Sequence, residues 1–197
     1  MKSVEVCNGM KVGIVVKRVT SWERVLDAAR FTQGKKTLGR EPSDLFKTKM
    51  VLSEHSPLRL LEFDINVYGI PYFSMGHFVR HIHAQPFVST SRPDITGEKI
   101  TRHELPQDAP VNMQLSLNAQ EILNISRLRL CSKAEITTRT IWGAVVSELR
   151  EIEPILAKAC KPQCIVKGYC QEMNTCGYTA SRVFDERRKE FLSNFDR

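Results

Sequence analysis

Apolar and polar positions alternate most cleanly at Leu61, Phe63, Ile65 and Val67, with Glu62, Asp64, Asn66 and Tyr68 between them. A period of two puts the first set on one face, so a half-buried strand is predicted here. Val12 to Val16 predicts a second, short buried strand. Thr20 and Glu23 have capping-box spacing ahead of Trp22, Val25, Leu26 and Ala29, which predicts a helix to Arg30. The segment QGKKTLGREPS reads as a loop, after which Ser43 caps a helix carrying Leu45, Phe46, Met50 and Val51 that stops before Pro57. Pro71 suits the first turn of a helix over Tyr72 to His83, with Met75, Phe78, Val79 and Ile82 toward the core. Phe87 to Thr90 reads as a short strand and Arg92 to Pro110 as a polar loop. Two long helical stripes follow. Leu115, Ile122, Leu123, Ile125 and Leu130 form the first; Ile136, Ile141, Val145, Leu149 and Ile152 form the second, which Pro154 ends or kinks. The predicted class is α+β.

Composition narrows the function classes. The chain has 197 residues, and 29 Lys+Arg against 22 Asp+Glu give a net charge of +7. That length supports a sizeable core. No apolar run approaches the ~20 residues a spanning helix needs, and the first residues lack a signal-peptide cleavage pattern. A cytoplasmic enzyme or binding protein is expected. The charge suits an anionic partner but is too dispersed to demand nucleic acid. Single-stranded nucleic acid needs aromatic stacking platforms, and near Arg80 to Arg92 only Phe78 and Phe87 are available, both core candidates. Dinucleotide-binding, P-loop, zinc-protease and α/β-hydrolase motifs are absent from the sequence.

The candidate chemistry lies in Arg80-His81-Ile82-His83 and, just after it, Ser89-Thr90-Ser91-Arg92. Cations, imidazoles and hydroxyls so close together are donors suited to a pyrophosphate or nucleotide phosphate. A solvated basic helix end has the same composition. Asn118, Asn124, Arg129 and Lys133 form a second polar face on the following helix, and the two segments together would line a cleft. Near the C-terminus, Cys160-x3-Cys164-x5-Cys170-x5-Cys176 has donors for a tetrahedral zinc site. Disulfides and free thiols are the alternatives. The last residues, SRVFDERRKEFLSNFDR, read as a charged surface helix. Residues 1–159 are taken as a main domain and 160–197 as a cysteine-rich segment with a terminal helix.

At these motifs the chain resembles the flavin-dependent thymidylate synthase family, ThyX. HFVRHIHAQPFVSTSR, placed after the alternating strand EFDINVYGI, follows the layout of the family's R-H-R-x7-S signature. NAQEILNISRLRLCSKAE resembles the family's N-A-R-E helix, and the similarity runs over about residues 50 to 140. The resemblance implies a ThyX-like fold with a central antiparallel sheet flanked by long helices. It also implies a homotetramer with active sites shared between subunits, each holding FAD. Arg80, His81, Ile82, His83, Asn118, Asn124 and Lys133 would then be cofactor-side residues. Ser89, Thr90, Ser91, Arg92 and Arg129 would face a small anionic substrate such as a nucleotide. The departures fall largely on the substrate side. Ile82 replaces the second Arg, Thr90 replaces the motif Ser, Leu60 and Val88 differ from common family residues, and Asp108 to Met113 replace an Arg-bearing stretch. Ile offers none of the planar charge of Arg. With these departures, flavin-dependent lyase or redox chemistry on a different small anionic molecule is expected. The alternatives are methylation of dUMP with methylene-tetrahydrofolate and NADPH, or nucleotide or nucleic-acid binding without catalysis.

Overall fold

The computed structural model describes residues 2–97 and 102–195. Five antiparallel strands make one sheet: β1 (Lys2–Glu5), β2 (Lys11–Arg18), β3 (Glu62–Pro71), β4 (Gln85–Val88) and β5 (Pro110–Asn118), in the order β1-β2-β3-β5-β4. Register stacks the apolar positions into one layer. Val16 pairs with Ile65 and Ile65 with Leu115, while Val67 pairs with Ile14 and Met113, all of them buried. Burying each such side chain contributes about 1.5–3 kcal/mol. The opposite face carries Asp64, Asn66, Gln114 and Ser116, at least partly open to solvent.

The helices are α1 (Trp22–Phe31), α2 (Asp44–Leu52), α3 (Tyr72–Phe78), the short α4 (Pro93–Thr96), α5 (Ala119–Arg129), α6 (Ile136–Ile152), α7 (Pro154–Ala159), α8 (Gln163–Lys167) and α9 (Arg182–Ser193), and all but α4, α8 and α9 bury side chains in the core against the sheet's apolar face. α6 packs across β1 and β2 and touches α3 and α5, with the Trp142 ring 5.7 Å from that of Phe78. The Trp142 indole donates to Ser126 Oγ at 2.9 Å. Trp22 donates to the buried Glu153 at 2.9 Å, and Arg18 pairs with the same carboxylate. A second, smaller core of Ile165, Phe184, Phe191 and Phe195 ties α8 to α9.

Several local expectations change. Thr20 does not cap α1. Ser21 stands at that position, and Thr20 Oγ1 instead donates to Leu60 O at 2.6 Å and accepts from Glu62 N at 2.8 Å, pinning the chain to the start of β3. Ser43 does cap α2, accepting from Phe46 N. β5 replaces the first part of the predicted long helix. Val111, Met113, Leu115 and Leu117 alternate with Asn112, Gln114, Ser116 and Asn118, so Leu115 belongs to a central strand. Asn118 is then the N-cap of α5, its Oδ1 accepting from Glu121 N at 3.0 Å. α3 ends at Phe78, five residues before His83, so Val79 and Ile82 face outward and Ile82 is 84% exposed. β4 begins at Gln85, two residues before the predicted Phe87. Of the predicted polar loop, residues 98–101 lie outside the described residues. A bulge interrupts β3 between Val67 and Ile70. Gly69 there has φ +71, and a side chain would approach Lys11 O at 3.3 Å, so glycine is required. Among the described residues, no helix is long and apolar enough to cross a membrane.

Candidate functional site

The chain turns sharply where α3 stops, and this turn carries Arg80 to His83 toward the first turns of α5. His81 is 8% exposed, an unusual burial for a titratable ring on a turn. Its Nδ1 lies 3.4 Å from Glu121 Oε1. Its Nε2 accepts from Arg129 Nε at 3.1 Å. Because Arg129 can only donate, Nε2 must present a lone pair, and the ring proton belongs on Nδ1, facing the carboxylate. Arg129 Nη2 donates to His77 O at 2.8 Å, which ties α5 to the end of α3. The network continues from Glu121. Asn124 Nδ2 donates to Glu121 Oε2 at 3.0 Å, and Arg127 pairs with Glu54 while also contacting Asn124. Gln120 donates to Glu54 at 2.6 Å.

Electrostatics follow from this arrangement. Burial raises the Glu121 pKa, but the hydrogen bonds from His81 and Asn124 and the nearby imidazoles outweigh it, holding the carboxyl below its ordinary value. Burial lowers the Arg129 pKa, and the neighbouring charge of Arg80 adds to that effect. Two cations are thus held close together, one of them exposed, beside a buried carboxylate. An anionic ligand would relieve their repulsion. Next to them, Arg59, His83, Asn118, Asn124, Glu54, Gln120 and Glu121 line an open groove of about 370 Å³.

Of the residues singled out in the sequence, the fold brings Arg80, His81, His83, Asn118, Asn124 and Arg129 into this one region. Ile82 lies on the same turn but points to solvent. Ser89, Thr90 and Ser91 line a different hollow of about 540 Å³, with Tyr72, Gln107 and Val111. There Ser89 Oγ accepts from Asn112 N at 2.9 Å. Arg92 is exposed and forked onto Asp94, at 3.1 and 2.5 Å. Lys133 sits exposed in the turn after α5. Sequence reasoning missed Glu121, Glu54 and Arg127. A signal for Glu121 existed, since Asn118-Ala-Gln-Glu121 has capping-box spacing that marks the start of α5.

The expected zinc site is not formed. Among the described residues, no group of three or more His, Cys, Asp or Glu side chains is placed to hold a metal ion. Cys160 is buried in the main core and donates to Leu156 O at 3.4 Å. Burial pushes its thiol up to about 11, which disfavours the thiolate that a metal would need. All six cysteines are free.

Comparison with known proteins gives a consistent direction. No family model matches the chain. Over 96 residues, 49% of this chain and 37% of the relative, it is 30% identical to a flavin-dependent thymidylate synthase of Saccharolobus solfataricus. Over 69 residues, 35% of this chain and 26% of the relative, it is 35% identical to the enzyme of that name from Sulfolobus acidocaldarius. The matches thus span little more than a third of the relatives' length at most. In three dimensions the fold superposes on ThyX of Helicobacter pylori, solved with FAD and dUMP. That match has a TM-score of 0.62 and 14% identity, over 76% of this chain and 98% of the other. A UMP/dUMP methylase, PolB of Streptomyces cacaoi bound with 5-Br dUMP, gives a TM-score of 0.59 at 13% identity, over 75% and 94% of the two chains. At such identity the superpositions establish the fold.

Proposed function

Starting from a divergent ThyX-like chain, we propose that the protein is a FAD-dependent enzyme acting on a small anionic substrate of nucleotide type. The observation that carries this reading is the pair Arg80 and Arg129 flanking a buried His81–Glu121 couple beside an open polar groove. The donor set fits a phosphorylated cofactor. Arg80 and His83 are exposed. Asn118 spends only its Oδ1 on the helix cap, which leaves its amide hydrogens to donate. Arg80, His83, Asn118 and Asn124 would hold FAD, and Lys133 stands at the far end of α5. When bound, FAD supplies hydride or electron transfer. The chain supplies orientation and charge. Glu121 fixes the His81 ring, the ring fixes Arg129, and Arg129 presents its remaining donors toward bound anions.

The hydroxyls of Ser89, Thr90 and Ser91 are substrate-side candidates that open elsewhere on this chain. A homotetramer with shared sites would let this hollow on one subunit complete the polar groove of another. Residues 1–159 would form the flavin unit and 160–197 an appended segment. Where the ThyX pattern has a second arginine, Ile82 presents an exposed apolar side chain. It cannot supply the lost charge, which favours a substrate or reaction other than dUMP methylation.

The test is an absorbance spectrum of the protein reconstituted with FAD, followed by addition of dUMP. A bound flavin spectrum unmoved by dUMP is the expected result. A dUMP-induced shift would restore thymidylate synthesis as the activity. Absence of FAD binding would overturn the enzyme reading and leave a binding protein.

A further inference from the structure

The flavin reading leaves unused a groove of about 760 Å³ between the end of α5, α8 and residues 169–177. Cys131, Cys164, Cys170 and Cys176 line it, four of the chain's six cysteines, and Arg127, Arg139 and Arg187 share the lining. Cys176 is exposed at the rim, and Ser132 Oγ donates to its sulfur at 3.1 Å. The turn bearing Cys131 and Ser132 is itself held by Arg139, whose Nη1 donates to Ser132 O at 2.9 Å. The Tyr178 hydroxyl, also in the lining, is buried without a hydrogen-bond partner.

We propose that this groove is a thiol–disulfide exchange site for an anionic low-molecular-weight disulfide of the glutathione type, with Cys176 as the attacking sulfur and Cys131 as the resolving one. Cys176 gives its proton to solvent and attacks one sulfur of the small disulfide. The new S–S bond forms as the old one breaks, and the leaving sulfur departs as a thiolate with the bonding pair and takes a proton. Cys131, deprotonated in turn, attacks Cys176 Sγ, expels the second small thiol and closes a Cys131–Cys176 disulfide. Two electrons pass from the two cysteines to the small disulfide, which ends as two thiols.

Three observations support the roles. Position favours Cys176, which is the most exposed of the four thiols and accepts from Ser132, the residue next to Cys131 in the chain. Ionisation agrees. The Ser132 hydrogen bond, then the Tyr178 amide, lower the Cys176 pKa, whereas burial and the neighbouring Cys131 raise that of Cys164. Charge agrees as well: Arg127 is paired with Glu54, but Arg139 and Arg187 outnumber Glu172 in the lining and suit the carboxylates of a glutathione-like molecule. The groove adjoins the proposed flavin site, with Asn124 lining both, but its thiols lie outside that site.

The experiment treats the reduced full-length protein with glutathione disulfide and follows intact mass with peptide mapping. A transient single glutathionyl adduct on Cys176, then a Cys131–Cys176 disulfide, is expected. Cys176→Ser slows oxidation by about tenfold or more, and Cys131→Ser stops the reaction at the adduct. Arg187→Ala slows reaction with glutathione disulfide but not with neutral hydroxyethyl disulfide. Far-ultraviolet circular dichroism confirms that the variants are folded. Adducts divided evenly between Cys176 and Cys7, or an unchanged rate in Cys176→Ser, would overturn the proposal.

Discussion

Two donor-rich stretches lie only a few residues apart in sequence, Arg80 to His83 and Ser89 to Arg92, yet the fold treats them differently. The first is tied through His81 to Glu121 and Arg129 on another helix, with His81 and Glu121 both under 9% exposed. The second stays on the surface, its arginine satisfied by Asp94 two residues away, and both partners are about 60% exposed. The contrast teaches that a density of donors does not make a site. A buried hydrogen-bond partner on a different element does, because there an unmade bond is costly and the geometry becomes unique.

The comparison can be broken most decisively at Glu121. Removing the carboxylate in Glu121→Ala leaves His81 and Asn124 without their buried acceptor. With two buried donors left unsatisfied, a loss of about 2–5 kcal/mol is expected in urea unfolding. A loss under about 1 kcal/mol would place this couple with ordinary surface pairs. Arg129→Ala comes next. It removes charge-assisted bonds to His77 O and His81, costing about 1.5–3 kcal/mol, and it weakens FAD binding in the same protein. Full retention of FAD affinity would show that Arg129 only braces α3.

Acid sharpens the contrast further. Glu121 has a folded pKa below its ordinary 4.5, so its contribution to stability is complete above that value and disappears as pH falls through the folded pKa. The wild type's advantage over Glu121→Gln in thermal melts should therefore be constant at neutral pH and shrink only below 4.5. An advantage that shrinks already between neutrality and that value would contradict the assigned shift. Glu135 also sits below its usual value: burial raises it, and the Thr137 and Thr138 donors that it caps outweigh the rise. Glu135→Ala should cost about 1 kcal/mol, as a lost helix cap does, and leave FAD affinity unchanged in titration. The smallest effect belongs to Arg92→Ala, within about 0.5 kcal/mol on stability and without change in FAD affinity. A clear loss of affinity there would move the site to the surface ridge.

What could be read from the sequence depended on whether the cause was local. The β3 alternation and the Ser43 cap are set by neighbouring residues and stand in the structure, as does the centre of the α6 stripe at Ile141, Val145 and Leu149, whereas Ile136 and Ile152 at its ends are exposed. β5 was obscured because Leu115 also fits a helical stripe with Ile122, while its polar partners Asn112, Gln114 and Ser116 read as a solvated helix face. The end of α3 was hidden for a related reason. Val79 and Ile82 extend the apolar spacing of Met75 and Phe78, and nothing nearby says that His81 will be the buried member. His81 is buried because its partners, Glu121 and Arg129, lie about 40 and 48 positions onward. Arg80, His81 and Asn124 were legible as candidates by resemblance, whereas Glu54 and Arg127 meet only through the fold.

The central claim is that the anion site belongs to the turn after α3 and not to the hydroxyl ridge. Flavin fluorescence quenching should be measured in the double variants Arg80→Ala/His83→Ala and Ser89→Ala/Thr90→Ala. The first is expected to bind FAD at least about tenfold more weakly than wild type, and the second to stay within about twofold. Normal affinity in the first with a tenfold loss in the second would contradict the account.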